Sequence, residues 1–501
     1  MASNILKFLI ILSSIFLSAA NSLQTPAIST AFSKSHLSSI KSFCKSTPFP
    51  DSCFHSLKLS LSITISPTTL AFVLQTLKSA ISESLKLSVL ISDAGNSNLI
   101  EKQKGTVQDC KELHQITLSS LKKSISRVVS SPDSRKLADA RTFLSAALTN
   151  RITCLEGLNS AAGSLKPTLI SSLSSAYEHV SNSLSMLSKP NSPSGGGARR
   201  RLLGYDPPWR ILEDNEYDPR DVVTVAADGS GNFTAISDAV NFAPNNNGSD
   251  VTWITGNRSV ADGWTTFRSA TVAVSGQGFL ARGISFENTA GPEKHQAVAL
   301  RINADFSALY KCVILGFQDS LYVHSFRQFF RECDIFGTID YIFGNAAAIF
   351  QGCSIISRKP LPGQYTVITA QSRDNPDENT GISLQNCSIL ATDDLYANSD
   401  VVRSYLGRPW RNYSRTVVLE SYIDKFIEPD GWTQWDGDQG LDTLYYGEYE
   451  NFGPGSDTSE RVSWGGYRVM DYNDASNFTV SEFIAGDEWL TYTSFPFDDG
   501  V

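Results

Sequence analysis

Histidine is scarce in this chain of 501 residues: there are six, and only His295 and His324 fall in the second half. A Ser–His hydrolase needs a histidine base and a Gly-x-Ser-x-Gly elbow, and no such elbow is present. No His/Cys/Asp cluster has the spacing of a zinc site, and no Gly-Lys-Ser/Thr loop could cradle a phosphate. The glycines of Asp228-Gly-Ser-Gly-Asn232 are too few for a dinucleotide site. No cofactor or metal is expected. The only long apolar run is Phe8–Phe16, within Met1–Ser22, which excludes a multi-span membrane protein. With Lys7 before that run and Ser18, Ala19 and Ala20 after it, residues 1–22 read as a secretory signal.

Charge is unevenly shared. Residues 1–203 hold 22 Lys/Arg and 10 Asp/Glu, whereas residues 204–501 hold 20 and 41. Two bodies of opposite sign are implied, neither suited to nucleic acid. The boundary is Lys189-Pro-Asn-Ser-Pro-Ser-Gly-Gly-Gly-Ala198, a flexible linker running into Arg199-Arg-Arg-Leu-Leu203. A basic cluster on such a tether is open to a processing protease. Eight cysteines and six Asn-x-Ser/Thr triplets (Asn232, Asn247, Asn257, Asn386, Asn412, Asn477) suit an exported chain, the triplets at surface positions.

The first body, residues 23–188, is poor in aromatics and glycine. Apolar residues recur at helical spacing, as in Leu70, Phe72, Val73, Leu77 and Ile81, and Pro67, Pro132 and Pro167 mark helix boundaries. A bundle of four or five amphipathic helices is predicted, with a binding or chaperoning role. Cys44-Lys-Ser-Thr-Pro-Phe-Pro-Asp-Ser-Cys53, Asp109-Cys-Lys-Glu-Leu113 and Thr153-Cys-Leu-Glu-Gly157 resemble the plant invertase and pectin methylesterase inhibitor family. That resemblance implies an all-α four-helix bundle behind an N-terminal hairpin, with bridges Cys44–Cys53 and Cys110–Cys154.

Beyond residue 220 the chain alternates β-branched and aromatic residues with polar ones. Cys312-Val-Ile-Leu, Cys333-Asp-Ile-Phe, Cys353-Ser-Ile-Ile and Cys387-Ser-Ile-Leu share a core, the first three at spacings of 21 and 20 residues. A period near twenty in strand-rich sequence predicts the coils of a parallel β-helix. Asp319 and Asp340 each lie seven residues after a repeat cysteine, so they should sit on neighbouring coils about 4.8 Å apart. Carboxylates that close repel, leaving an acid beside an ionised partner, a pair suited to hydrolysis. Cys333 and Cys353, one coil apart, are expected to bridge, with Cys353–Cys387 the second choice.

Gln296-Ala-Val-Ala-Leu-Arg301, Gly316-Phe-Gln-Asp-Ser-Leu-Tyr322, Asp340-Tyr-Ile-Phe-Gly-Asn345 and Leu406-Gly-Arg-Pro-Trp410 resemble, in order, the signature blocks of pectin methylesterases. The whole chain is similar to a plant pectinesterase precursor: signal, inhibitor-like pro-region, processing segment (189–215) and a right-handed β-helix catalytic domain (216–501). The resemblance implies a secreted, cell-wall enzyme that removes methyl esters from homogalacturonan. By it Asp340 is the nucleophile and Asp319 the proton donor and base. Gln296 and Gln318 stabilise the oxyanion, and Arg408 orients Asp340. Thr266, Tyr322, Phe343 and Trp410, together with Gln296 and Arg408, contact the sugar chain. Pectin, a subtilisin-like processing protease and a proteinaceous pectinesterase inhibitor are the implied partners, with no nucleic acid and no membrane once the signal is removed. One departure stands out. Between Asn246 and Ile254 the family carries about thirty further residues, so roughly one coil near the N-terminal end is missing. A glycan-cleaving β-helix enzyme of polygalacturonase type and an inactive, truncated protein are the alternatives.

Overall fold

A computed structural model describes residues 34–58, 69–94, 99–130, 132–188, 223–226 and 252–501. The expected signal, the linker with its Arg199–Leu203 cluster, and Pro67 lie outside the described residues.

Six helices form the first body: α1 (Lys34–Cys44), α2 (Pro50–Lys58), α3 (Thr69–Ala94), α4 (Thr106–Val129), α5 (Ser134–Ser160) and α6 (Lys166–Ser188). The last four pack as a bundle, and α1 and α2 form a hairpin against it. Their apolar stripes meet in one core that includes Val73, Leu77, Leu121, Leu144 and Val180. Pro132 precedes α5, whose N-cap Asp133 accepts a hydrogen bond from the Lys136 N–H. Pro167 sits in the first turn of α6, where no amide hydrogen is needed. Disulfides join Cys44 to Cys53 and Cys110 to Cys154, the second tying α4 to α5.

The second body is a parallel β-helix. Three parallel sheets of eight, eight and six strands run along it, each strand paired with its equivalent on the next coil. In the sheet that carries the repeat, Asp334 of the strand Asp334–Gly337 pairs with Val313 on one side and Ser354 on the other. Side chains facing inward stack into columns such as Ile314–Ile335–Ile355–Ile389 and form one elongated core.

Turns between sheets are tight, and many force a left-handed residue. Lys311, Glu332, Asn386 and Glu420 all have φ between 47° and 52°. A repeat cysteine follows each of the first three, so its side chain enters the core at the same point of every coil. Cys312, Cys333, Cys353 and Cys387 are all buried free thiols. The expected Cys333–Cys353 bridge is therefore not formed, nor is Cys353–Cys387. In-register parallel strands hold their side chains side by side at about 4.8 Å, whereas a disulfide needs Cβ atoms nearer 3.8 Å and turned toward each other. Each thiol instead approaches backbone carbonyls, as Cys353 does at Phe330 (3.4 Å).

At the N-terminal end, Val223–Ala226 pairs with Thr252–Gly256, which pairs in turn with Ile284–Asn288. Residues 227–251, where most of the shortened stretch falls, lie outside the described residues. From Thr252 onward the stack is in register, apart from one shift between Ile339 and Ile342 where Ile339–Gly344 pairs with Thr366–Gln371. Four of the six Asn-x-Ser/Thr triplets fall in described segments, and Asn257, Asn386, Asn412 and Asn477 are all exposed.

Candidate active site

Asp319 and Asp340 occupy equivalent positions on successive coils, Asp319 in a turn and Asp340 at the start of the strand Ile339–Gly344, and share a left-handed conformation, φ 64° and 52°. Such a conformation costs a non-glycine residue about 1 kcal/mol or more, so the surrounding coil must impose it. Gly337 assists at the second position: a Cβ there would lie 2.1 Å from Cβ of Tyr341, which packs directly behind Asp340. Both carboxyls are buried and face one cavity of about 340 Å³.

Their surroundings differ. Arg408 grips Asp340 with both arms of its fork, Nε to Oδ1 at 2.8 Å and Nη2 to Oδ2 at 2.6 Å. Arg408 is itself fixed by the Tyr365 hydroxyl, 2.9 Å from Nη1, and lies over the ring of Trp435 at 4.3 Å. Burial raises the Asp340 carboxyl above the ordinary carboxylate range, and Arg408 opposes the rise. Asp319 has no such partner. Burial first, then the charge of Asp340, drives its carboxyl well above the ordinary range, with Arg408 opposing only at a distance. One proton held by the pair therefore resides on Asp319.

Gln296, Gln318, Thr266, Tyr322, Phe343 and Trp410 line the same cavity, so every residue singled out from the sequence converges on one site. The rings of Tyr322 and Phe343 stack at 4.2 Å, and Trp410 lies 5.9 Å from Phe343 and 6.2 Å from Trp435. Trp435 and Tyr365 were not anticipated. Both come from long inter-strand loops where the twenty-residue period lapses, and no spacing in the sequence marks them.

The roof of this cavity was not anticipated either. Gln103, Asp109, Thr153, Glu156 and Gly157 of the helical body complete its wall. Asp109 and Thr153 immediately precede the two cysteines that tie α4 to α5, so the bridge fixes the pair over the groove. Asp109 Oδ1 accepts from Arg268 Nε (2.6 Å), and its Oδ2 from the Thr265 hydroxyl (2.5 Å). Glu112 binds Arg268 (2.8 Å), Asp139 binds Arg327 (2.9 Å), and Glu156 binds Arg411. Thr153 Oγ1 meets Nε2 of the buried His324 at 3.0 Å. His324 thus serves the contact between bodies and is no base.

Two buried carboxyls with separated proton affinities, a fixed guanidinium and an aromatic-lined groove on a parallel β-helix define a hydrolase of the carboxylate-pair class. Residues 245–487 match the family model described as Pectinesterase, and residues 38–186 match Plant invertase/pectin methylesterase inhibitor. The chain is 60% identical to "Probable pectinesterase/pectinesterase inhibitor 12" of Arabidopsis thaliana, over 93% of this chain and 94% of that one. It is 40% identical to "Pectinesterase 3" of Citrus sinensis, over 93% and 89%. Among solved structures it is similar to "Pectin methylesterase from Carrot", with 48% identity and a TM-score of 0.52, over 58% of this chain and all of that one. The chain belongs to the pectinesterase family, in the form that carries an inhibitor-like N-terminal region.

Proposed function

We propose that the protein hydrolyses methyl esters of homogalacturonan to carboxylates and methanol, through an acyl-enzyme on Asp340. The observation that carries this reading is the asymmetric carboxyl pair, with Asp340 clasped by Arg408 and Asp319 beside it, its carboxyl raised well above the ordinary range by burial and by the charge of Asp340. An Asp340 oxygen attacks the ester carbonyl. The tetrahedral oxyanion is met by the amides of Gln296 and Gln318, and losing one such donor costs about 2.7–4 kcal/mol of barrier. Collapse breaks the bond to the methoxy oxygen, which takes the Asp319 proton and leaves as methanol. The ionised Asp319 then removes a proton from water as that water attacks the acyl carbon. This step frees the uronate and restores both carboxyls. Tyr322, Phe343, Trp410 and Thr266 hold the sugar chain, the rings offering flat apolar faces to pyranose rings.

We further read the chain as a zymogen. In its uncut form the helical body occupies the groove wall that a polysaccharide would have to pass, held by Asp109, Glu112, Asp139 and Glu156. Cleavage at Arg199–Leu203 by a subtilisin-like protease, during export to the cell wall, would release that body. The exposed Asn257, Asn386, Asn412 and Asn477 are available to glycosylation on the same route. No helix among the described residues is long and apolar enough to cross a membrane.

The test is methanol release from esterified pectin by the full chain before and after cleavage at 199–203, with Asp340→Ala alongside. Methanol from the cut chain alone, abolished in the variant, is the expected outcome. New reducing ends without methanol would favour the glycan-cleaving alternative. No product from any form would leave the truncated, inactive reading standing.

A further inference from the structure

A second cavity, about 230 Å³, lies where α5 meets the β-helix, outside the carboxyl-pair site. Four arginines reach it: Arg141 from α5 and Arg327, Arg373 and Arg415 from the β-helix. The register explains the space. Arg327, Ala347 and Gly381 are partners on three successive strands, and Arg415 follows at the same level on the fourth. Two small residues between two large ones leave a hollow in the column. Gly381 is needed there, because a Cβ would come within 3.0 Å of the Arg415 stem folded across it.

Arg327 is fully engaged, bound by Asp305 at 2.7 and 3.0 Å and by Asp139 at 2.9 Å. The other three are not. The Arg373 guanidinium donates only to backbone carbonyls, those of Glu378, Pro376 and Tyr413. Arg141 reaches the Asp377 carbonyl at a long 3.5 Å. Nε of Arg141 and Nε of Arg415 are buried with no partner at all. Among the described residues, none of the three forms an ion pair within 4 Å. Two acidic residues share the wall. Glu378 has its Oε2 taken by Asn345 and by the backbone amides of Asp374 and Asn375, and Glu482 is exposed. Burial pushes Glu378 up to about 7, with Arg373 and its hydrogen bonds opposing, so in weakly acidic solution it gives up most of the charge it would otherwise set against Arg373 and Arg415. Burial, then the neighbouring Arg373 and Arg141, pushes Arg415 down to about 9. Arg373 is buried and Arg141 and Arg415 are half-buried. Beyond the nearby charge of Asp377, which acts on Arg141 and Arg373, their unused donors call for a counter-charge, and their planar forks fit a ligand with two or three anionic oxygens.

We propose that this chamber binds a compact oxyanion, held by Arg141, Arg373 and Arg415, which clamps the helical body to the β-helix. Inorganic phosphate or sulfate and the carboxylate of a uronic acid share this chemistry. The uronate source rests on the esterase reading, whereas the inorganic one does not. At about 230 Å³ the space exceeds several waters at about 30 Å³ each, and accommodates either.

The uncleaved full chain decides the matter by calorimetric titration and thermal melting in potassium phosphate, in sodium galacturonate, and in chloride of matched ionic strength. A ligand held only by the folded form raises Tm by several degrees when present well above its Kd. Such a rise over chloride is expected with at least one probe. Arg141→Gln and Arg415→Gln, on opposite walls, should each weaken that probe at least tenfold. Both variants should melt in chloride no lower than the parent, since each relieves repulsion. Phosphate alone, galacturonate alone, or both raising Tm supports the proposal and identifies the source. It is overturned if neither probe shifts the parent, or if the shift survives undiminished in both variants. Should both variants fail to fold, the parent's response over matched chloride decides alone.

Discussion

Each body holds four cysteines and uses them in opposite ways. In the helical body they pair, one bridge closing the α1–α2 hairpin and the other tying α4 to α5. In the β-helix they stand in one buried column as free thiols. The difference follows from geometry. Packed helices turn their side chains toward each other, so two thiols can meet end to end. Stacked coils hold equivalent side chains parallel, and each inner thiol is shared between two equal neighbours, hydrogen-bonding both without bridging either. Burial supplies what a bridge would: the β-helix column joins a continuous core from Ile254 to Tyr446. A small bundle with a Ser-rich interior such as Ser84, Ser120 and Ser124 has less apolar surface to bury and relies on cross-links.

The division of labour is sharpest for the chemistry. On the proposed mechanism Asp340→Asn removes the attacking carboxylate while keeping its shape, so methanol release by the cut chain should fall at least about 10³-fold. Thermal melting of both bodies should barely change. A variant that retained a tenth of the activity would move the nucleophile elsewhere.

Stability separates the bodies next. Cys110→Ala with Cys154→Ala opens a loop of 44 residues, for which chain entropy predicts a loss of about 4 kcal/mol in the helical body alone. Denaturant unfolding followed by probes in each body checks this, and equal losses in both would break the distinction. Removing the thiol of Cys353 as alanine should cost only about 1 kcal/mol, a small cavity in the β-helix. Thiol titration of the unfolded, unreduced chain should count four reactive groups, and close to none in the folded one.

Between these in size is a pH effect at the contact. Burial pushes Asp109 up to about 6, with Thr265 and Arg268 opposing. A carboxyl raised in the docked state holds its proton more tightly there than when free. Its contribution to docking is therefore fullest below about pH 4 and declines as pH rises to about 6, by at most about 3 kcal/mol. Dissociation of the cut helical body measured across that range should show the step, and Asp109→Asn should remove it.

Much of the β-helix was legible because its repeat is literal. Cys-x-Ile fixed the coil, the coil fixed Asp319 against Asp340, and the paired strands keep that register. Period alone misjudged Cys333 and Cys353, since it carries spacing but not side-chain direction. Legibility failed where coils lengthen: Cys353, Cys387 and Ser421 are 34 residues apart, and the added loops deliver Tyr365, Arg408 and Trp435. Only motif resemblance placed Arg408 there. The contact between bodies was least legible. Overall charge set a basic helical body beside an acidic β-helix, and Arg135–Glu488 follows that sense at 2.6 Å, yet most of the pairs run the other way, with Asp109, Glu112, Asp139 and Glu156 each facing an arginine. Net charge sums a whole surface, whereas docking depends on a few buried side chains. Asp109 and Thr153 were read only as flanks of a cysteine framework.

Both disulfides lie inside the helical body, so the backbone between Ser188 and Val223 is its sole covalent tie to the rest. While that tether is whole, the body re-docks from an effective concentration in the millimolar range however thin the solution. Severing it touches none of the ion pairs at Asp109, Glu112, Asp139 and Glu156; it makes escape irreversible by dilution. Activation would then be governed by the volume into which the cut molecule is delivered as much as by the protease that cuts it.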